Sequence, residues 1–163
     1  MYHKLESIIW TINNGPLFRG IDIVVNNASA ISVTDTISTE MKQYDLMHQI
    51  NGRGTFLVSK VCLPYLMQSY EKGNNPHILN ISPVRFIGFF ISGNTKIQPL
   101  DLRPEYVHNG LAYTMAKYNA SLCTLGMAHE YNGKIAVNSL WPQLPVWTAA
   151  VEHMMPKIKD RLD

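Results

Sequence analysis

Ile21-Asp22-Ile23-Val24-Val25, followed at once by Asn26-Asn27-Ala28-Ser29, is the stretch on which the fold turns. A short, nearly all-apolar run rich in β-branched residues suits a strand covered on both faces, as in a parallel sheet. The polar residues behind it mark a turn. The same figure recurs twice. His77-Ile78-Leu79-Asn80-Ile81 runs into Ser82-Pro83, and Ile135-Ala136-Val137-Asn138-Ser139-Leu140 runs into Trp141-Pro142.

Helical spacing fills the intervals. Thr39 to Ile50 reads as a helix with Thr39 as cap and Met41, Tyr44 and Met47 or His48 on one face. A longer helix is expected from about Arg53 to Tyr70, with a kink or break at Pro64. Gly110 to Tyr131 forms a third, with Leu111, Met115, Leu122, Leu125 and Met127 supplying apolar contacts and Asn132-Gly133 ending it. Leu5, Ile8, Ile9 and Ile12 suggest a helix before Asn13-Asn14-Gly15-Pro16, and Thr148 to Leu162 suggests a last one, interrupted near Pro156. Residues 84–109, with Phe86, Phe89 and Phe90, read as a long loop whose aromatics pack rather than line a pocket. Buried strands alternating with helices define an α/β fold with a doubly wound parallel sheet.

Composition narrows the classes of function. At 163 residues, 46% hydrophobic and 16% charged, the chain has the size and core of one domain. A net charge of +2, with the basic residues scattered, argues against a nucleic-acid surface. Cys62 and Cys123 form neither a disulfide framework nor a CxxC pair and read as core residues, which favours a reducing, intracellular setting. The six histidines lack zinc-ligand spacing, so no metal is expected. No apolar run spans a bilayer, and residues 1–20 lack the core of a secretory signal.

In open α/β sheets ligands bind beyond the carboxyl ends of the strands. The chemistry expected at that edge centres on Tyr113-Thr114-Met115-Ala116-Lys117. Positions i and i+4 share a helix face, so a phenol and an ammonium can enter one cleft. A free phenol titrates near pH 10, and a neighbouring cation favours its ionised form, which suits an acid/base acting on an alcohol or carbonyl oxygen. Taken alone, the pair is as well explained by a surface contact one helical turn apart.

The pair does not stand alone. The order is strand, Asn26-Asn27-Ala28-Ser29, helix, Asn51-Gly52-Arg53-Gly54-Thr55, strand, Asn80-Ile81-Ser82, Tyr113…Lys117, strand, Trp141-Pro142. That succession resembles the short-chain dehydrogenase/reductase family, which carries NNAG after its fourth strand, N-x-x-G-T on the next helix, N-I-S-S after the fifth strand and then Y-x-x-x-K. Proline after Asn80-Ile81-Ser82 and Trp141-Pro142 favour a hydroxysteroid dehydrogenase-like branch of it.

The resemblance implies hydride transfer between NADP (or NAD) and an unknown, apolar alcohol/carbonyl substrate, without a metal. By matching position, Tyr113 is the acid/base, and Lys117 lowers its pKa and holds the nicotinamide ribose. Asn51 anchors the water of a proton relay, Asn26, Asn27 and Ala28 pack beside the cofactor, and Thr148 approaches its nicotinamide end. The residues also have plainer readings: Asn26 and Asn27 as turn formers, Asn51 as a helix cap. The family's serine follows Ser82, where Pro83 stands. Adjacent strand residues point to opposite faces, so Ser82 does not simply replace it. Oxyanion polarisation then falls to Tyr113 alone or to Ser92.

No G-x-x-x-G-x-G turn is present to hold a pyrophosphate. The resemblance therefore implies a single partial domain over 1–163, with about three strands corresponding to strands four to six of the family. It would lack the N-terminal Gly-rich unit and the C-terminal strand, and would be poorly active alone. The alternative is an inactive truncated remnant that pairs with another protein through its open sheet edges. The resemblance also suggests a peroxisomal setting, although the chain ends Arg161-Leu162-Asp163 and not Ser-Lys-Leu. It further suggests a homo-oligomer formed through the helices after Asn51 and around Tyr113.

Overall fold

The computed structural model describes residues 20–82 and 110–142, together with positions 7, 9–11, 15, 102 and 107. Three short strands, β1 (Ile23–Asn26), β2 (His77–Ile81) and β3 (Ala136–Leu140), form one parallel sheet in that order. Ile23 to Asn26 pair with His77 to Asn80, and His77 to Ile81 pair with Ala136 to Leu140. The crossover from β1 to β2 holds α1 (Met41–Met47), a π-helical segment (His48–Gly54) and α2 (Thr55–Glu71). That from β2 to β3 holds α3 (Leu111–Glu130). The α/β class and the parallel sheet agree with the sequence reading.

Side-chain parity along the strands organises the interior, because successive residues point to opposite faces. Val24, Ile78 and Val137 are buried in the main core with Val61, Cys62 and Leu66 of α2 and Met127 of α3. Leu66 and Ile78 are wholly buried, and truncating either to alanine is expected to cost about 2–5 kcal/mol. One step toward the carboxyl edge the same rows turn polar. Asn26 Nδ2 donates to Asn80 Oδ1 at 2.7 Å and to Ser59 Oγ at 3.0 Å, while Asn80 Nδ2 donates to Thr124 Oγ1 at 2.8 Å. At the other end of β1, Asp22 accepts from Ser69 and Asn74, which explains a carboxylate inside an apolar run.

The helices differ from expectation in three ways. The predicted helices from Thr39 and Arg53 are one continuous run, joined by the π-helical segment through Asn51 instead of a break. It starts at Met41 with Glu40 in the cap position and no side-chain cap, so Thr39 is not the cap. Pro64 lies inside α2 without ending it. It sits on the exposed side, where water can serve a carbonyl that loses its N–H partner. Cover on both faces of β1 is not found among the described residues, since Ile23 and Val25 are 64% and 53% exposed. Both crossovers lay their helices on the opposite face, as right-handed connections from adjacent parallel strands do.

No helix among the described residues is long and apolar enough to cross a membrane. Ile9, Trp10 and Thr11 are helical, in keeping with the expected first helix. Phe86, Phe89, Phe90, Ser92, Thr148 and the helix expected from Thr148 to Leu162 lie outside the described residues.

Candidate active site

The carboxyl edge of the sheet meets the start of α3. Gly110 precedes that helix at φ 88°, in the left-handed region, and a Cβ there would lie 3.3 Å from Val33 Cγ1. Both the backbone angle and the close approach call for glycine. This brings the first turn of α3, with Tyr113, against the chain that leaves β1. Tyr113 packs with Ala30 and Tyr44 around Met47, Ala112 and Ala116.

The stretch after β1 is pinned at several points. Ala30 N–H donates to Asn51 Oδ1 and Asn51 Nδ2 donates to the Ala30 carbonyl, both at 2.8 Å. Ser32 N–H donates to Met47 Sδ at 3.2 Å and Ser32 Oγ donates to Gln43 Oε1 at 2.9 Å. Asn51 is 1% exposed and both ends of its amide are taken, so its side chain acts as a two-point latch on Ala30. Its position in the π-helical segment fits the rule that such segments re-aim side chains at functional sites. Gly52 beside it permits close packing on α3: a Cβ there would meet Asn119 Nδ2 at 2.9 Å.

Lys117, one turn along α3 from Tyr113, is 5% exposed and its Nζ donates to the Ile81 carbonyl at 3.1 Å. Burial lowers its pKa to about 8. Burial likewise pushes the Tyr113 phenol up to about 12, against which a hydrogen bond from Ser29 pulls down. The sequence expectation was that Lys117 would depress the phenol. In the ligand-free chain, loss of solvent outweighs any such effect, and Tyr113 is neutral across the physiological range.

The remaining sequence candidates separate cleanly. Asn26 is committed to Ser59 and Asn80, whereas Asn27 and Ala28 are exposed beyond β1. Ser82 is 1% exposed, and its Oγ bonds Ser121 Oγ at 3.1 Å and also Ser139 Oγ. It continues the row of Ile78 and Asn80 on the helix-covered face. The structure thus brings together Tyr113, Lys117, Asn51 and the Asn27–Ser29 turn, and shuts Ser82 away. Sequence reasoning missed Ser29 as a neighbour of Tyr113; its one signal is a serine where the family pattern has glycine.

The residues present fit the nicotinamide-ribose end of a dinucleotide. An ammonium with a single recorded acceptor among the described residues and an exposed backbone stretch lie at the strand ends where such a ligand binds. A pyrophosphate-binding glycine turn is not part of this sequence.

The chain belongs to the short-chain dehydrogenase family, whose model matches residues 10–86. It is 51% identical over 137 residues to hydroxysteroid dehydrogenase-like protein 2 of Xenopus laevis, a match covering 84% of this chain and 28% of that protein. A short chain dehydrogenase structure from Mycobacterium thermoresistibile is 36% identical, with a TM-score of 0.70 over 95% of this chain and 48% of that one. The ligand-free aldohexose dehydrogenase of Thermoplasma acidophilum is 23% identical with a TM-score of 0.73, covering 100% and 54%, and shares the fold. The chain thus spans under a third of its curated relative and about half of these solved neighbours.

Proposed function

We propose that this chain carries the proton-transfer half of a nicotinamide-dependent oxidoreductase acting on an alcohol/carbonyl pair, with Tyr113 as the acid/base. The observation that supports this best is the position of the Tyr113 phenol. It stands at the carboxyl edge of a parallel sheet, beside an exposed turn latched by Asn51, with Lys117 on the same helix face. When bound, the cofactor supplies or accepts the hydride.

The protein's own part is proton management. In the reducing direction the neutral phenol donates its proton to the carbonyl oxygen. In the oxidising direction the phenolate takes it back. Because burial holds the phenol near 12, the donor form is present at neutral pH. Lys117, charged below about pH 8, stabilises the phenolate left after transfer and can bond the ribose hydroxyls. Asn51 holds the turn, its side-chain amide bonded at both ends to Ala30.

The reading extends to an NADP-type cofactor and a peroxisomal setting by the branch resemblance. It extends also to self-association, which the exposed Phe56 of α2 and Met115, Leu122 and Leu125 of α3 support. The test is NADPH and NADH oxidation by the purified chain against a panel of apolar ketones and aldehydes, with nucleotide binding followed by fluorescence. Weak turnover that Tyr113→Phe abolishes is the expected result. Turnover untouched by that change, or no nucleotide binding at millimolar concentration, overturns the reading.

A further inference from the structure

The helical run from α1 through the π-helical segment into α2 shares a pocket of about 430 Å³ with α3. Asp45, His48, Gln49, Arg53 and Phe56 line it from that run, and Asn119 lines it from α3. Asp45 and Arg53 stand eight positions apart, beyond the one-turn reach over which helical side chains pair, and form no ion pair among the described residues. The His48 ring stacks on Tyr44 with centroids 4.1 Å apart, and its Nε2 is buried without a hydrogen-bond partner among the described residues. Such atoms are rare in folded proteins and mark a place where a partner is wanted. The surroundings are apolar. Phe56 is 54% exposed, and on the Asn119 face of α3 Met115 and Leu122 are 45% and 53% exposed.

The charge pattern selects the occupant. The pocket carries one acid and one base, so it favours neither an anion nor a cation. A copy of the same surface, turned end for end, meets both demands. Gln49 lies four positions from each charge, so a two-fold axis beside it sets Asp45 opposite the partner's Arg53 and forms the reverse pair by the same symmetry. We propose that this pocket is the centre of a two-fold contact between copies of the chain, in which Asp45 of each copy pairs with the partner's Arg53. This rests on the self-association read above and gives it a register. Phe56, Met115 and Leu122 flank the two ion pairs, and aromatic, methionine and arginine side chains are what interface centres favour. The two Gln49 amides meet at the axis, next in the chain to the imidazole whose Nε2 has no partner within one copy.

The experiment follows self-association of the whole chain by sedimentation velocity across a range of concentrations. The samples are wild type, Asp45→Arg, Arg53→Asp, and an equimolar mixture of the two variants. Each reversal alone sets like charges opposite each other, and a weakening of roughly tenfold or more in Kd is expected. In the mixture every contact is again between opposite charges, so the two variants should pair with each other at close to the wild-type Kd. Both side chains are exposed in the single chain, and urea midpoints matching wild type establish that each variant is folded. A net-charge effect would not give this pattern, because from +2 the first change raises the charge and the second lowers it. Wild-type association that neither reversal weakens, or a mixture no tighter than its folded components, overturns the proposal and leaves self-association to another face. A wild type that stays monomeric overturns both, and leaves the pocket to a different partner.

Discussion

The ends of β1 and β2 make an instructive pair. Both are polar, both close parallel strands, and both reach the edge where ligands bind in such sheets. Yet Ser82 at the end of β2 is sealed beneath the sheet, whereas Ser29 after β1 is exposed, next in the chain to Ala30, which packs with Tyr113. Parity decides the difference. Ser82 keeps in step with Ile78 and Asn80 and therefore faces α3, where Ser121 takes its hydroxyl. β1 stops at Asn26, and the chain then leaves the sheet before Ser29, so strand alternation no longer dictates where that side chain points. A serine that can serve the carboxyl edge is thus to be sought by the direction of its strand, not by its distance along a motif.

The largest expected effect lies on the open side of this comparison. Tyr113→Phe removes the proposed proton donor while leaving the ring in its cluster, and a drop in turnover of roughly 10²–10⁴ is expected with little loss of stability. Steady-state rates with a carbonyl substrate check it. The same rates measured against pH sharpen it. Since the phenol stays protonated up to about 12, carbonyl reduction should be level from pH 6 to 8, while alcohol oxidation, which needs the phenolate, should climb over that range.

Next in size is the latch. Asn51→Ala deprives the Ala30 N–H and carbonyl of their partners at once and leaves a cavity where a fully buried amide was. A loss of about 2–3 kcal/mol in urea unfolding is expected, at roughly 1–1.5 kcal/mol per hydrogen bond. If Asn51→Ala keeps wild-type stability, the open turn is not held as described and the contrast with β2 loses its basis.

Much of this was legible from residues alone, for physical reasons. The three strands stand out because β-branched runs bounded by turn residues have few other uses, and the bounds of β2 match the reading to the residue. The Tyr113/Lys117 pair stands out because helical spacing fixes which residues share a face. What stayed hidden depends on tertiary contact. Nothing in Asn51-Gly52-Arg53-Gly54-Thr55 announces a π-helical segment, within which Asn51 reaches Ala30 and Gly52 packs closely on Asn119. Nor could periodicity show that Asn26, Asn80 and Thr124 would bond one another beneath the sheet. The direction of the shift at Tyr113 was hidden as well, because a spacing argument counts the neighbouring cation and not the water lost on burial.

Lys117 links the two regions, standing on the Tyr113 helix with its ammonium on the last carbonyl of β2. Its pKa of about 8 lies below the ordinary 10.5 that the unfolded chain retains. Between those values the unfolded chain binds more protons, so this group's contribution to stability rises with pH from about 8 to 10.5. Below about 8 the full cost of the buried charge is present, roughly 3 kcal/mol on the usual conversion. Lys117→Met removes that cost but also the hydrogen bond to Ile81, for about 1 kcal/mol. A net gain of about 1–2 kcal/mol at pH 7 is expected, shrinking by pH 10, with turnover lost. Urea midpoints at the two pH values check the sign. A destabilised variant at pH 7 would mean that the ammonium holds β2 and α3 together more strongly than burial opposes it.

The smallest effect is expected on the closed side. Ser82→Ala takes one hydroxyl from a group of three, and the others are not stranded: Ser121 Oγ already lies 3.4 Å from the Lys117 carbonyl, and Ser139 is only partly buried. The loss should therefore stay at or below about 1 kcal/mol, within the range of a single neutral hydrogen bond. Turnover should match wild type, because the side chain lies beneath the sheet and away from the proposed meeting point of a substrate oxygen with Tyr113. Stability and rate measured on the same preparation separate the cases. A hundredfold fall in rate with an unchanged urea midpoint would put Ser82 at the reacting atoms. It would also mean that the end of β2 turns over when a ligand binds, so that parity in the ligand-free sheet is not what selects the working hydroxyl.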